Sequence, residues 1–369
     1  MKKHSTAKTT ARRNRLARVR ELTIGMDLGD RVSRYCILDE TGGVISEGSV
    51  PTTKAGMNQI FGPMARCRIA METGAHSPWV SRQLSGFGHE VIVANARNVR
   101  LIGESTRKDD RLDAKTLARL ARIDPGLLSP VRHHSAQGQA HLTVMRARAV
   151  LVSARTTLVN AARGLVKPHG ESLRRCGTQQ FGKAIGSHLP AELGAALEPL
   201  LSAVEALNEQ IQLYEQQLEH IAKEEYPQIA RLKQVDGVGT LIALSFMLTI
   251  EDPHRFRRSR DVGCYFGLRP GRRSSGASQP QLHISKEGDR YLRKLMVQGA
   301  HHILGPFGKD CDLRRWGLKL AERGGKNAKK RAIVAVARKL AVLLHRLWVS
   351  GAIYDPLRNS QTQMGRAAA

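Results

Sequence analysis

Four carboxylates in the first third of the chain have the types and spacing that phosphoryl transfer requires. Asp27 closes the run Ile24-Gly25-Met26-Asp27-Leu28-Gly29, and Glu72 closes Ile69-Ala70-Met71-Glu72-Thr73-Gly74. Asp110 and Asp113 lie in Asp110-Arg111-Leu112-Asp113-Ala114, a spacing that puts both on one face of a helix. A carboxylate on an apolar strand is costly to bury unless it is paired or holds a cation. Hard oxygen donors of this kind bind Mg²⁺ (or Mn²⁺), and two such ions flanking a scissile phosphate stabilise both the attacking and the leaving oxygen. Each acid taken singly also fits a local cap: Asp27 and Glu72 for the turns after their strands, Asp110 at a helix start with Asp113 in its first turn.

A second group of candidates lies downstream. The stretch Tyr265-Phe266-Gly267-Leu268-Arg269-Pro270-Gly271-Arg272-Arg273-Ser274-Ser275-Gly276 combines hydroxyls with two arginines that could bind a phosphate and offset charge developing on it. A free serine needs a base, a metal or a local cation to become a nucleophile, so the same stretch also reads as a basic loop touching phosphates. Lys286, just after it, could be a further phosphate contact. Val235-Asp236-Gly237-Val238-Gly239 has the form of a helix-hairpin-helix turn, in which Gly237 and Gly239 would let backbone N–H groups approach a phosphate. The same spacing closes many inert helix turns. The pairs His133-His134 and His301-His302 lack metal-site spacing and read as structural or nucleic-acid-facing.

These side chains need elements to position them. Thr23–Leu28, Ser33–Leu38 and Val44–Val50 read as three strands of a meander, followed by strands at Arg68–Met71 and Glu90–Ala94 with helices at Thr53–Met64 and Ser77–Gly86. That alternation predicts a mixed sheet with helices on its faces. Asp113–Ile123 and His141–Val166 are helical. Leu200, Val204, Leu207, Ile211, Tyr214, Leu218 and Ile221 step by four and three, a coiled-coil seam that could pair within the chain or between protomers, with Pro199 and Pro227 as its expected start and stop. Helices are also expected over Arg290–Leu304 and Ala328–Val349.

Composition narrows the partners. The chain has 369 residues and a formal net charge of +27, which suits a polyanion, nucleic acid before a membrane surface. Met1–Arg20 carries eight Lys and Arg and no acid, as a basic arm would, whereas Ala191–Glu225 carries eight acids against one base. No apolar stretch reaches the roughly 20 residues of a membrane span, and no apolar core follows the basic start as in a secretory signal. Five scattered cysteines without a C-x-x-C pair argue against a disulfide framework or zinc ribbon and suit a reducing cytoplasm. Aromatic content of 4% gives no stacking platform for single strands.

The order strand-Asp, strand-Glu, helix-Asp-Asp matches the RNase H-like nucleases. With Phe266-Gly267-Leu268-Arg269-Pro270, Ser275-Gly276 and the Val235–Gly239 turn, the ordered set resembles the DEDD transposases of insertion sequences related to the Piv invertase, over about Leu22 to Asp355. The resemblance implies an α/β, RuvC-like (RNase H fold) domain over 21–167 after the arm of 1–20. It implies a linker and dimerising coiled coil over 168–227, a mainly α-helical transposase domain over 228–355, and a tail over 356–369. It implies Asp27, Glu72, Asp110 and Asp113 as Mg²⁺ ligands and Ser275 as a nucleophile forming a phosphoserine link to DNA. A structured guide RNA and a dimer or tetramer complete the expectation, for a cytoplasmic, nucleoid-associated recombinase. A hydrolytic RNase H-like nuclease or Holliday-junction resolvase would use the acids and water alone. An actin-like kinase or ATPase, suggested by Asp27-Leu28-Gly29 and Thr41-Gly42-Gly43, would need a second phosphate segment that the sequence lacks. A non-catalytic nucleic-acid-binding protein would need none of the acids.

Overall fold

The computed structural model describes residues 22–95, 110–185, 190–271, 282–325 and 327–359, with Asp110, Arg111 and Lys183 described by their backbone alone. The chain divides into two compact units at Ala136/Gln137.

The first unit is built on a five-stranded sheet. Strands β1 (Thr23–Asp27), β2 (Val32–Leu38) and β3 (Val44–Pro51) form the expected antiparallel meander. After helix α1 (Lys54–Phe61), strand β4 (Arg68–Glu72) returns parallel to β1; after α2 (Ser77–Gly86), β5 (Glu90–Ala94) lies parallel to β4. The sheet order is β3-β2-β1-β4-β5. Side chains alternate between its faces. Ile24, Met26, Ile69 and Met71 pack with Met57 and Phe61 of α1 and with Val80 and Leu84 of α2. The opposite face is covered by α3 (Asp110–Ile123), whose Leu117 and Ala121 cluster with Ala70 of β4 and whose Ala114 and Ala118 cluster with Cys36 and Leu38 of β2. Alanines and a glycine at this seam bring helix and sheet backbones together. A Cβ at Gly25 would lie 1.9 Å from the Ala114 carbonyl oxygen and 2.4 Å from the Ala118 nitrogen, so only glycine fits there.

The second unit is helical. Its longest members are α4 (Ala136–Leu165) and α6 (Ala191–Glu225), with the short α5 (Phe181–Ile185) between them. At 1.5 Å per residue the two long helices run roughly 45 and 52 Å. They lie antiparallel: Leu142 and Met145 cluster with Leu218 and Ile221, Arg148 pairs with Glu215, Arg155 donates to Asn208 at 2.6 Å, and Val159 and Ala162 cluster with Val204. The heptad-spaced seam, including buried Val204, Ile211 and Leu218, is therefore covered from within the chain by α4. Through this pairing α4 falls in the second compact unit. The expected helix start at Pro199 is corrected. Pro190 caps α6, and Pro199 lies inside it, where burial of Leu197 and Leu201 against the α4 and α5 cluster carries the helix across the missing N–H.

The remaining helices are α7 (Ile229–Leu232), α8 (Thr240–Ile250), α9 (Val262–Tyr265), α10 (Arg290–Leu304), α11 (Asp312–Ala321) and α12 (Ala328–Ser350). α8 is buried on nearly every side, with Phe246 wedged edge-on between Phe266 and Trp348. Burying side chains of this size contributes about 1.5–3 kcal/mol each. Among the described residues no helix is long and apolar enough to cross a membrane.

Candidate active site

Strand parity places the first-unit acids. Asp27 shares the face of Gly25, and Glu72 that of Ala70, because alternate residues of a strand point the same way. Both faces are the one beneath α3. Met26 pairs with Met71 in the parallel register, so Asp27 and Glu72 follow one another at the carboxyl edge of neighbouring strands. Asp113 sits on α3 next to Ala114, whose carbonyl rests on Gly25, and Asp110 occupies the position one turn earlier. Asp27, Glu72 and Asp113 are all half-buried.

Whether this edge suits a divalent cation turns on its donors. They are carboxylate oxygens, the type hard cations prefer, and strand parity and helix position assign them to one face of the sheet. Among the described residues, no three His, Cys, Asp or Glu form a metal-holding group by themselves. Asp27, Glu72 and Asp113 each engage another group. The fourth carboxylate, that of Asp110, lies outside the described atoms. The donor chemistry thus fits a divalent metal.

The same edge carries a polar layer that sequence reasoning missed. Trp79 Nε1 donates to His76 Nδ1 at 3.0 Å, which leaves His76 Nε2–H to donate to Asp30 Oδ1 at 3.1 Å. Asp30 lies three residues after Asp27 and His76 four after Glu72, so this bond ties the loop leaving β1 to the loop leaving β4. Ser77 Oγ accepts from Gly74 N–H at 3.0 Å and lies 2.8 Å from His133 Nε2. Burial holds the His133 imidazole below its ordinary pKa, helped by the nearby positive charges of His134 and Arg82. His133 is thus structural, one of the two roles its sequence allowed. Nothing in the local spacing of Asp30 or His76 announced the bond, although both stand in loops that follow a candidate acid.

In the second unit, Arg272, Arg273 and Ser275 lie outside the described residues. The two ends of their loop are described, and they are held together. Pro270 and Ile284 form an isolated antiparallel bridge; Gly271 N–H donates to His283 O at 2.8 Å and Ser285 N–H to Arg269 O at 2.9 Å. Gly267, at φ +65°, completes this neck: its own carbonyl accepts from Lys286 N–H at 3.1 Å, and a Cβ on it would lie 2.3 Å from Glu287 N. Arg293 of α10 buttresses the neck by donating to the Phe266 and Glu287 carbonyls at 3.1 and 2.7 Å. Lys286 is exposed at the neck, at φ +57°.

The Val235–Gly239 turn joins the single turn of α7 to the buried α8. Gly237, at φ +78°, packs against α10, where a Cβ would meet the Gly299 carbonyl at 2.9 Å; Gly239 faces open space. The close contact with α10 accounts for Gly237 without any ligand.

A sheet of this order, with carboxylates on its edge beneath a crossing helix, is the framework of an RNase H-like, DEDD-type phosphoryl-transfer domain. A DEDD transposase family model matches residues 24–169, and the family described as Transposase IS116/IS110/IS902 matches residues 229–309. The transposase for insertion sequence element IS1111A of Coxiella burnetii is 31% identical over 330 residues, covering 87% of this chain and 88% of that protein. A probable family 20 transposase of Pseudomonas aeruginosa is 30% identical over 342 residues, 90% of this chain and 98% of its own. The transposase for IS1328 of Yersinia enterocolitica is 28% identical over 282 residues, 75% and 82% of the two chains. The chain belongs to the DEDD transposases of the IS110/IS116 family, enzymes of DNA transposition. Membership brings DNA as a partner and implies use of a divalent metal.

Proposed function

We propose that this transposase excises and integrates an insertion element by cutting and rejoining DNA through a covalent phosphoserine intermediate. Asp27, Glu72, Asp110 and Asp113 would hold Mg²⁺ or Mn²⁺, which when bound neutralises charge on the phosphate and on the oxygens entering and leaving it. Ser275 Oγ attacks the phosphorus: an Oγ–P bond forms as a strand P–O bond breaks, and the serine proton is passed on as the departing oxygen takes one up. Attack by the hydroxyl of another strand end reverses the exchange and frees the serine, so phosphodiester bonds are conserved and no external energy source is needed. Arg272, Arg273 and Lys286 contact the phosphates around it. The observation that supports this reading is the placement of Asp27 and Glu72 at the carboxyl edge of neighbouring strands, on the sheet face beneath α3, in a chain that belongs to a DEDD transposase family.

The net charge of +27 and the family resemblance support a structured guide RNA as second polyanion, with assembly into a dimer or tetramer through 168–227 and a place on the nucleoid. The seam of α6 already packs on α4, so an assembly surface there uses the outer, acidic face of α6.

A nicked DNA substrate that traps covalent adducts tests the serine. Wild-type protein should form an adduct migrating with the DNA on a denaturing gel, lost by more than a thousandfold in Ser275→Ala. Asp27→Asn should abolish adduct formation with DNA binding kept. Adducts persisting in Ser275→Ala would overturn the nucleophile, and cleavage without any adduct would favour the hydrolytic nuclease or resolvase. RNA that does not copurify with active protein, or activity that survives ribonuclease, would remove the guide.

A further inference from the structure

The helical unit contains a cleft of about 920 Å³ between α9, α11, α12 and the C-terminal segment. Arg260, Arg269, Arg338, Lys339, Arg346 and Arg358 line it. Three acids share the lining: Asp261, Asp312, whose Oδ2 accepts from the Asn359 N–H at 2.7 Å, and Asp355, whose Oδ1 accepts from the Leu357 N–H at 3.1 Å, so basic groups outnumber them two to one. Among the described residues, none of Arg260, Arg269, Arg338, Lys339 and Arg346 forms a salt bridge.

The cations are held in place. The stem of Arg338 crosses Gly263, where a Cβ would lie 2.7 Å from its Cγ, and the Lys339 ammonium sits 3.7 Å from the centre of the Trp316 ring. Burial and the adjacent Arg338 charge press the Lys339 pKa below its ordinary value, which is the strain an approaching anion would relieve. Arg338 and Arg346 are two turns apart on α12, roughly 12 Å, or about three nucleotides of rise in a DNA strand. Arg269 belongs to two structures at once. Its side chain lines the cleft, and its carbonyl accepts the Ser285 N–H in the neck of the Ser275 loop.

We propose that this cleft is a seat for the DNA sugar-phosphate backbone, holding a strand beside the neck of the loop that carries Ser275. DNA is favoured over RNA because Arg269 couples the cleft to that loop, and this choice rests on the proposed phosphoserine chemistry. Backbone contacts of this kind fix the register of a strand and carry no sequence information.

The chain holds its own probes. Cys264 lines the cleft, whereas Cys176 packs at the far end of the α4–α6 pair; both are half-exposed and free. Full-length protein would be alkylated with iodoacetamide, with and without a 30-base-pair DNA duplex, and the two thiols followed by mass spectrometry. DNA should slow Cys264 at least fivefold and leave Cys176 unchanged. In parallel, Arg338→Gln/Arg346→Gln should weaken duplex binding at least tenfold and reduce the slope of log K against log salt by about 1.8, at about 0.9 per phosphate contact. Arg338→Lys/Arg346→Lys should retain most of the binding, which separates charge from folding. Equal alkylation of Cys264 with and without DNA would overturn the proposal, whatever the variants do. So would protection by duplex RNA alone. Cys264 protection that needs no nucleic acid and rises with protein concentration would give the cleft to a second copy of the chain instead. If adducts form normally in the Gln variants while Cys264 is unprotected, the cleft fails and the phosphoserine reading stands; if no adduct forms with any protein but Cys264 is protected, the reverse holds.

Discussion

The two candidate centres are positioned in opposite ways. The acids of the first unit project from strands and a helix whose backbones touch, with Gly25 pressed on the Ala114 carbonyl and apolar clusters on both faces of the sheet. The serine loop of the second unit is gripped at its neck, by a β-bridge, backbone hydrogen bonds and the Arg293 guanidinium. An edge fixed by a core holds several ligands at once, as a cation requires. The neck of the second centre is fixed by a few backbone contacts between distant segments rather than by a core. The contrast predicts that damage to the first centre travels through folding and damage to the second through alignment.

The largest effect should come from Gly25→Ala. Its methyl group meets backbone rather than a yielding side chain, so α3 must lift from β1, at a cost near or beyond the top of the usual 1–3 kcal/mol for overpacking. Thermal unfolding followed by proteolysis of the first unit would register it; an unchanged melting temperature would show that α3 is not seated as described. Gly267→Ala should be milder for stability, about 1–2 kcal/mol, because the strain is confined to the neck. Adduct formation should nevertheless fall by at least tenfold with divalent-metal affinity unaltered. Equal loss of both would erase the distinction between the two centres.

The smallest effect concerns pH. His133 is half-buried with its pKa below the ordinary value of 6.5, so the unfolded chain takes up its proton first as pH falls. Its contribution to stability is complete above about pH 6.5 and is lost as pH drops through the lowered folded value. The first unit should therefore soften on acidification in that window, and His133→Gln should flatten the dependence. A dependence that persists in His133→Gln would assign it to another group.

Much of the first unit was legible in the sequence. All five strands stand within about a residue of their expected ends, because period-two alternation and the Asp39–Gly43 turn are written in near neighbours. α3 begins at Asp110, one turn earlier than Asp113, where the charged run Lys108–Lys115 obscured the periodicity. α11 escaped notice for a similar reason, its short amphipathic pattern Asp312–Ala321 being dense in charge. The Asp30–His76 bond escaped for a different reason: its partners are far apart in sequence and meet only because β1 and β4 are neighbours.

The sequence by itself determined the strand meander, the strand-end positions of Asp27 and Glu72, and the heptad stripe of α6. These depend on residues a few positions apart, which the periods of strand and helix connect. Tertiary structure alone decided that the stripe closes on α4, that α3 rests its backbone on Gly25, and that Arg269 joins the basic cleft to the serine loop's neck. Those choices are settled by burial and hydrogen bonding between distant segments, and no local spacing records which surface will cover which.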